Sequence, residues 1–200
     1  MNSHPDIKLP RLTIVGGRPG AGKTTLAYLL SKRIHCPLIS RDAIKEGLVN
    51  TMEDKGAPGG FLAQSAGDTF FAVIELLLER RVTLVIDAFF PQESWQDRMP
   101  KLKQIARVNL VYCVVDADTA HQRMAQRRQE DAHWDEFHNK PVDQKTMPHA
   151  RYEPIDLGVP RLIVDCDSDY CPNIEGIFRF TKGLTHYMAE QAACTQPSVA

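Results

Sequence analysis

Short, uninterrupted apolar runs alternate along this chain with longer stretches in which apolar residues recur every three or four positions. The first pattern marks strands buried on both faces and the second marks amphipathic helices. Their alternation predicts parallel strands joined by crossover helices, an α/β arrangement. Leu12 to Val15 is the first strand, followed by a glycine-rich loop and a helix from about Lys23 to Ile34. CPLIS is a short second strand that runs into a helix, RDAIKEGLVN, and TMEDKGAPGG reads as a loop. Phe61 to Arg80 is a long helix with Phe70, Val73, Ile74 and Leu77 on one face. VTLVID is a buried strand, and Pro91 to Ala106 holds one helix or two, broken at Pro100. VNLVYCVV is the next strand, Asp118 to Gln129 a helix capped by Asp118, and RLIVD the last strand. A helix from about Pro172 to Ala192 closes the order. The segment 130–160 is long, polar and Pro-containing, as expected of a lid over a site. The pattern therefore predicts one domain over 11–192, with a lid region at 128–158 and loose termini at 1–10 and 193–200.

Between the first strand and its helix stands the run from Gly17 to Thr24, which fits G-x-x-x-x-G-K-[ST] at every fixed position. Gly17, Arg18, Pro19, Gly20, Ala21, Gly22, Lys23, Thr24 and Thr25 are the expected phosphate-binding residues. Backbone N–H groups freed by the glycines turn inward around phosphates, and the following helix adds the positive end of its dipole. Lys23 reaches the outer phosphates, and the Thr24 hydroxyl is a ligand for Mg²⁺. Asp87 ends the apolar strand TLVID, at the strand end that lines the site in such sheets. It is expected to serve the same metal, its plainer role being to cap the turn that follows.

Composition narrows the partners. The chain has 200 residues, 43% hydrophobic and 24% charged, with net charge −1 and no overall basic field to draw it onto nucleic acid or an acidic membrane. The 5 cysteines are odd in number and form no CxxC pair, so reduced thiols and a cytoplasmic location are expected. MNSHPDIKLP carries no signal-peptide pattern, and no apolar run approaches the ~18 residues of a membrane span. His133, His138 and His149, with Asp135 and Glu136, match no recognised zinc spacing.

GGRPGAGKTT, ISRDAIKEGL, LVIDAFF and QRMAQRR, in this order, resemble the small P-loop kinases. That group includes chloramphenicol phosphotransferases, zeta toxins, polynucleotide 5′-kinases and gluconate- or shikimate-type kinases, many known only as AAA-family ATPases. The resemblance covers roughly residues 11 to 130 and the last strand, and its most specific part is the loop. It implies a three-layer P-loop NTPase fold: a five-stranded parallel sheet of order 2-3-1-4-5 flanked by helices, with a lid. It also implies ATP and Mg²⁺, and transfer of the γ-phosphate to a hydroxyl.

Within the resemblance Asp42 is the base beside the acceptor hydroxyl. The chemistry suits it, because a loose phosphoryl transition state needs the attacking oxygen held in line and its proton taken late. Its plainer role is to N-cap the helix AIKEGL. By resemblance to adenylate-kinase-like enzymes, Arg123 packs over the adenine and Arg127 contacts the transferring phosphoryl group, with Arg128 as the alternative. A solvated basic helix face is the plainer reading of both.

Three functions remain open on these residues. One is a kinase of a small hydroxyl compound, acting as monomer or homodimer. A second is an ATPase or nucleotide switch that passes phosphate only to water, although Ala88 after Asp87 removes the Asp-Glu pair of motor ATPases. A third is a polynucleotide 5′-hydroxyl kinase. Against it, Lys45 stands where such kinases carry Arg three residues past the base, and Arg suits bidentate phosphate recognition better. The stretch from Asp42 to Asp68 also sets Lys45 and Lys55 against Asp42, Glu46, Glu53, Asp54 and Asp68, an acidic rim for a phosphodiester.

Overall fold

The structure, a computed structural model, describes residues 8–51, 59–88, 90–130 and 154–183. Five strands form one sheet: β1 (Arg11–Gly17), β2 (Leu38–Ser40), β3 (Leu84–Asp87), β4 (Arg107–Val114) and β5 (Arg161–Asp165). Their spatial order is β2-β3-β1-β4-β5, and every pairing is parallel. This is the order the resemblance implies. The helices are α1 (Lys23–Ile34), α2 (Arg41–Thr51), α3 (Gly59–Glu79), α4 (Glu93–Gln96), α5 (Met99–Ile105), α6 (Ala117–Glu130) and α7 (Ile174–Thr181).

Side chains alternate across the strands, and both faces are buried. Leu12, Ile14, Leu84, Ile86, Leu110 and Tyr112 join one core with Phe70, Ile74 and Leu78 of α3 and Leu102 of α5. Val15, Val85, Val111, Cys113 and Val164 join a second core with Leu26 and Leu30 of α1 and Ile177 of α7. An apolar layer on each side of the sheet explains why these strands read as continuous runs rather than alternating ones.

Several local expectations change. Asp116, not Asp118, caps α6: its Oδ1 accepts from the Asp118 N–H at 2.8 Å and the Thr119 N–H at 3.3 Å. These backbone bonds hold the Asp116 carboxyl below its usual pKa. Pro100 does not break a helix but stands in the first turn of α5, where its missing N–H costs no internal bond. Phe61–Glu79 of α3 has the length and mean hydropathy, 1.4, to cross a membrane. It was not legible as such because Gln64, Asp68 and Glu75 interrupt it, and Phe70, Phe71, Ile74 and Leu78 pack it into the core. Cys36, Cys113 and Cys166 are free thiols, whereas Cys171 is disulfide-bonded, against the expectation for that residue. Most of the expected lid, the histidines within it, residues 1–7 and the C-terminal tail lie outside the described residues, whereas Pro10, expected in the loose N-terminus, is buried and its carbonyl accepts from the Arg107 N–H at 2.8 Å.

Candidate active site

The phosphate loop is shaped by two close approaches. Gly17 has φ +136°, and a Cβ there would meet the backbone oxygen of Cys113 on β4. Gly20 has φ +81°, and a Cβ there would meet the backbone oxygen of Ala120 on α6. Glycine is therefore needed twice, once to bring the loop off the sheet and once to seat it against α6. The loop leads directly into α1 at Lys23, so the first free N–H groups of the helix face the loop.

Lys23 is half-buried, and its ammonium donates to the Arg18 carbonyl at 3.0 Å. Burial pushes its pKa down; the carboxylates of Asp87 and Asp42 oppose that shift, while Arg127 adds to it. Four of the expected site residues thus act on one another. The Thr24 hydroxyl donates to Asp87 Oδ2 at 2.6 Å, joining the start of α1 to the end of β3. Asp87 is 7% exposed. Burial raises its pKa, partly offset by the Thr24 hydrogen bond and the Lys23 charge, and Asp42 pushes it further up.

A hydroxyl and a carboxylate side by side make an oxygen-only donor pair for a hard cation. Among the described residues, no three His, Cys, Asp or Glu side chains gather as a metal cage. That donor set fits Mg²⁺, which keeps most of its shell as water and substrate phosphate oxygens. It gives no support to a zinc-type centre.

Asp42 lies in the first turn of α2 but does not cap it. The Ser40 hydroxyl accepts from the Ala43 N–H at 3.3 Å and takes that role. The Asp42 side chain is left 62% exposed, with Arg41 Nη1 at 3.4 Å from Oδ1. Arg41 is a site residue that sequence reading passed over. Its guanidinium lies over the Phe90 ring at 5.4 Å, Nη2 donates to the Ala63 carbonyl at 3.4 Å, and Nε is buried without a hydrogen-bond partner among the described residues. The available signal was its place directly before the carboxylate, which counts of the rim from Asp42 onward leave out.

Arg98 pairs with Asp68 at 3.5 Å. With Arg41 on Asp42, two of the rim's acids have cationic partners. The rim repels phosphodiesters less than its sequence count implies.

On the other side of the loop is a cavity of about 320 Å³ lined by Gly22, Thr25, Arg123, Arg127, Cys166 and Tyr170, among others. Arg123 is fixed there by two bonds from its guanidinium, to the Cys166 carbonyl at 2.8 Å and the Asp167 carbonyl at 2.9 Å. It thereby ties α6 to the loop after β5. Arg127 lines the cavity one turn later, whereas Arg128 does not line it. The spacing of Arg123 and Arg127 sets both on one helix face.

A phosphate loop at the centre of a five-stranded parallel sheet, opposite a strand-end carboxylate, defines a P-loop kinase-like protein. The chain belongs to the AAA domain family, whose model matches residues 12–152. No curated protein matches it. Among solved structures it is similar to a candidate kinase from Chloroflexus aurantiacus, with TM-score 0.76 and 24% identity over 88% of this chain and 98% of that one. It is also similar to a gluconokinase from Sinorhizobium meliloti, with TM-score 0.54 and 18% identity over 94% and 98%. A chain of an RNA repair complex matches with TM-score 0.54 and 21% identity over 72% of this chain and 42% of that one. At such identities the likeness is one of fold.

Proposed function

We propose that the protein is a cytoplasmic ATP-dependent phosphotransferase that moves the γ-phosphate of ATP to a hydroxyl of a small molecule. It acts as a single domain over 11–192, closed by the lid region 128–158. The observation that carries this reading is the 2.6 Å contact of Thr24 with Asp87 beside the half-buried Lys23, within electrostatic reach of Asp42. The likeness in fold to a gluconokinase supports a small-molecule acceptor.

In this reading the N–H groups of Gly17 to Thr25 cradle the phosphates, and Lys23 trades its Arg18 carbonyl for phosphate oxygen. Arg123 borders the base in the 320 Å³ cavity. Thr24 and Asp87 would hold Mg²⁺, which supplies charge neutralisation on the phosphates when bound. Asp42, exposed and free of capping duty, orients the acceptor hydroxyl and takes its proton. Arg127 meets charge that develops as the phosphoryl group moves.

A second reading, a polynucleotide 5′-hydroxyl kinase, is favoured by Arg41 and Arg98, which lower the acidity of the acceptor rim. Screening sugars, nucleosides, antibiotics and 5′-hydroxyl oligonucleotides for stimulated ADP release tests both. Stimulation by a small alcohol is expected. Stimulation by oligonucleotides alone would replace the first reading with the second.

Arg127→Ala should lower kcat by about 10²-fold or more while ATP affinity changes little, because its charge matters most in the transition state. Steady-state kinetics beside calorimetry measures both. A larger defect in Arg128→Ala would transfer the role to that residue, and a change in thermal stability alone would return both to a solvated face.

Asp87→Asn gives a result of opposite sign in stability and activity. A carboxylate whose folded pKa is raised holds its proton to higher pH than in the unfolded chain. Stability of the nucleotide-free protein therefore falls as pH rises from the ordinary carboxylate range through the raised value, and stays lowered above it. The amide removes that penalty. At pH 8 the apo Tm should rise on the order of 2 °C, at about 2–4 °C per kcal/mol for chains of this size. Mg²⁺-dependent turnover should collapse. A lower apo Tm with normal turnover would remove Asp87 from the site.

A further inference from the structure

A second cavity, of about 440 Å³, shares no lining residue with the nucleotide cavity. It lies between the loop after β3, helix α5 and the segment before β5. Trp95, Met99 and Leu157 give it an apolar wall, and these side chains are only 1%, 5% and 8% exposed. The remaining lining is polar or exposed: Gln92, Gln96, Pro100, Lys103 and Asp156. Its size falls within the ~300–1,000 Å³ of small-molecule sites.

Two features of this cavity lack a partner among the described residues, and a third bears on its shape. The Trp95 indole Nε1–H is buried with no acceptor among the described residues, although buried donors are almost always paired. Lys103 is in no ion pair among the described residues, and neither is Asp156, whose Oδ1 accepts from the Gly158 N–H at 2.8 Å, so a cation and an anion without ionic partners share one rim. The Gln92 Oε1 accepts from the Asp156 N–H at 3.3 Å, which ties the loop after β3 to the segment before β5 at this cavity. Trp95 meets Phe71 and Phe90 edge-on, at 5.4 Å and 5.7 Å, and Phe90 carries Arg41. These rings link the cavity wall, through Arg41, to the side of the sheet that carries Asp42.

We propose that this cavity is a second ligand site for a small zwitterion with an apolar body, the chemistry of a free apolar amino acid. Its carboxylate meets Lys103 and offers the Trp95 indole N–H an acceptor, its ammonium meets Asp156, and its side chain covers Met99 and Leu157. Charges of both signs on one rim select against a plain acid, a plain amine and a neutral alcohol, each of which leaves one rim charge unmatched.

Tryptophan fluorescence of the full chain tests it. The chain has 2 tryptophans, so Trp134→Phe leaves Trp95 as the sole reporter. L-leucine and L-methionine are the probes, with 4-methylvalerate and isoamylamine as the single-charge controls. A saturable change with the amino acids is expected, with each control at least about tenfold weaker. Lys103→Gln and Asp156→Asn should each weaken L-leucine about tenfold and leave ATP affinity unchanged. Both side chains are exposed, so both variants should fold, which Tm confirms. The proposal is overturned by no saturable change up to about 10 mM, by controls that bind equally well, by indifference to both rim variants, or by displacement of L-leucine by ATP.

Discussion

Lys23→Ala should leave a folded protein that no longer transfers phosphate. The ammonium donates to the Arg18 carbonyl within its own loop and belongs to neither core. Its loss therefore costs the fold little. The same ammonium is enclosed enough for burial to lower its pKa, so phosphate oxygens that reach it meet a poorly hydrated charge. A charge-assisted bond of that kind is worth ~1.5–3 kcal/mol, so calorimetry with ATP and Mg²⁺ should show at least about a tenfold weaker Kd. Turnover should fall further, on the order of 10²–10³, because charge on the moving phosphoryl group exceeds that of the ground state. Unchanged affinity and turnover would remove the loop from the mechanism.

Asp42→Asn should separate the two substrates. Asp42 acts on the nucleotide side through its field on Lys23 and Asp87. The amide should keep ATP affinity nearly normal while acceptor phosphorylation drops ~10²–10⁴-fold, the usual cost of losing a general base. Because Ser40 caps α2, the exchange removes no cap and Tm should hold. A variant whose only defect is weaker ATP binding would make Asp42 a residue of the metal side.

The sequence was most legible where one local rule acted alone. Helix α1 begins and ends where its periodicity and glycine loop predict, Lys23 to Ile34, because Gly22 forces the turn and the apolar face runs unbroken through Leu26 and Leu30. The strands were legible because both faces of the sheet are covered. β1 nevertheless extends through Gly16 and Gly17, which carry no apolar signal; backbone pairing with Tyr112 and Cys113 holds them in the strand. Choices between neighbouring candidates failed for a related reason. Asp116 and Asp118, or Ser40 and Asp42, are equally good caps by residue type, and only the chain's path decides which side chain meets the free N–H groups. Arg41 and Arg98 were missed because they come from elements flanking the acceptor stretch, and only folding brings Arg98 to Asp68. The contact of Thr24 with Asp87 spans 63 positions, yet it was legible because each residue carried its own motif.

Transfer of label from γ-³²P-ATP tests the central claim most directly. The wild-type protein is incubated with Mg²⁺, labelled ATP and either a panel of small hydroxyl compounds or a 5′-hydroxyl oligonucleotide, with Asp42→Asn as the control. The proposed function predicts that label moves onto one class of small hydroxyl compound, that this transfer is lost in Asp42→Asn, and that little reaches the oligonucleotide. Label released only as free phosphate, whatever compound is present, or transferred only to the 5′-hydroxyl oligonucleotide, would contradict it.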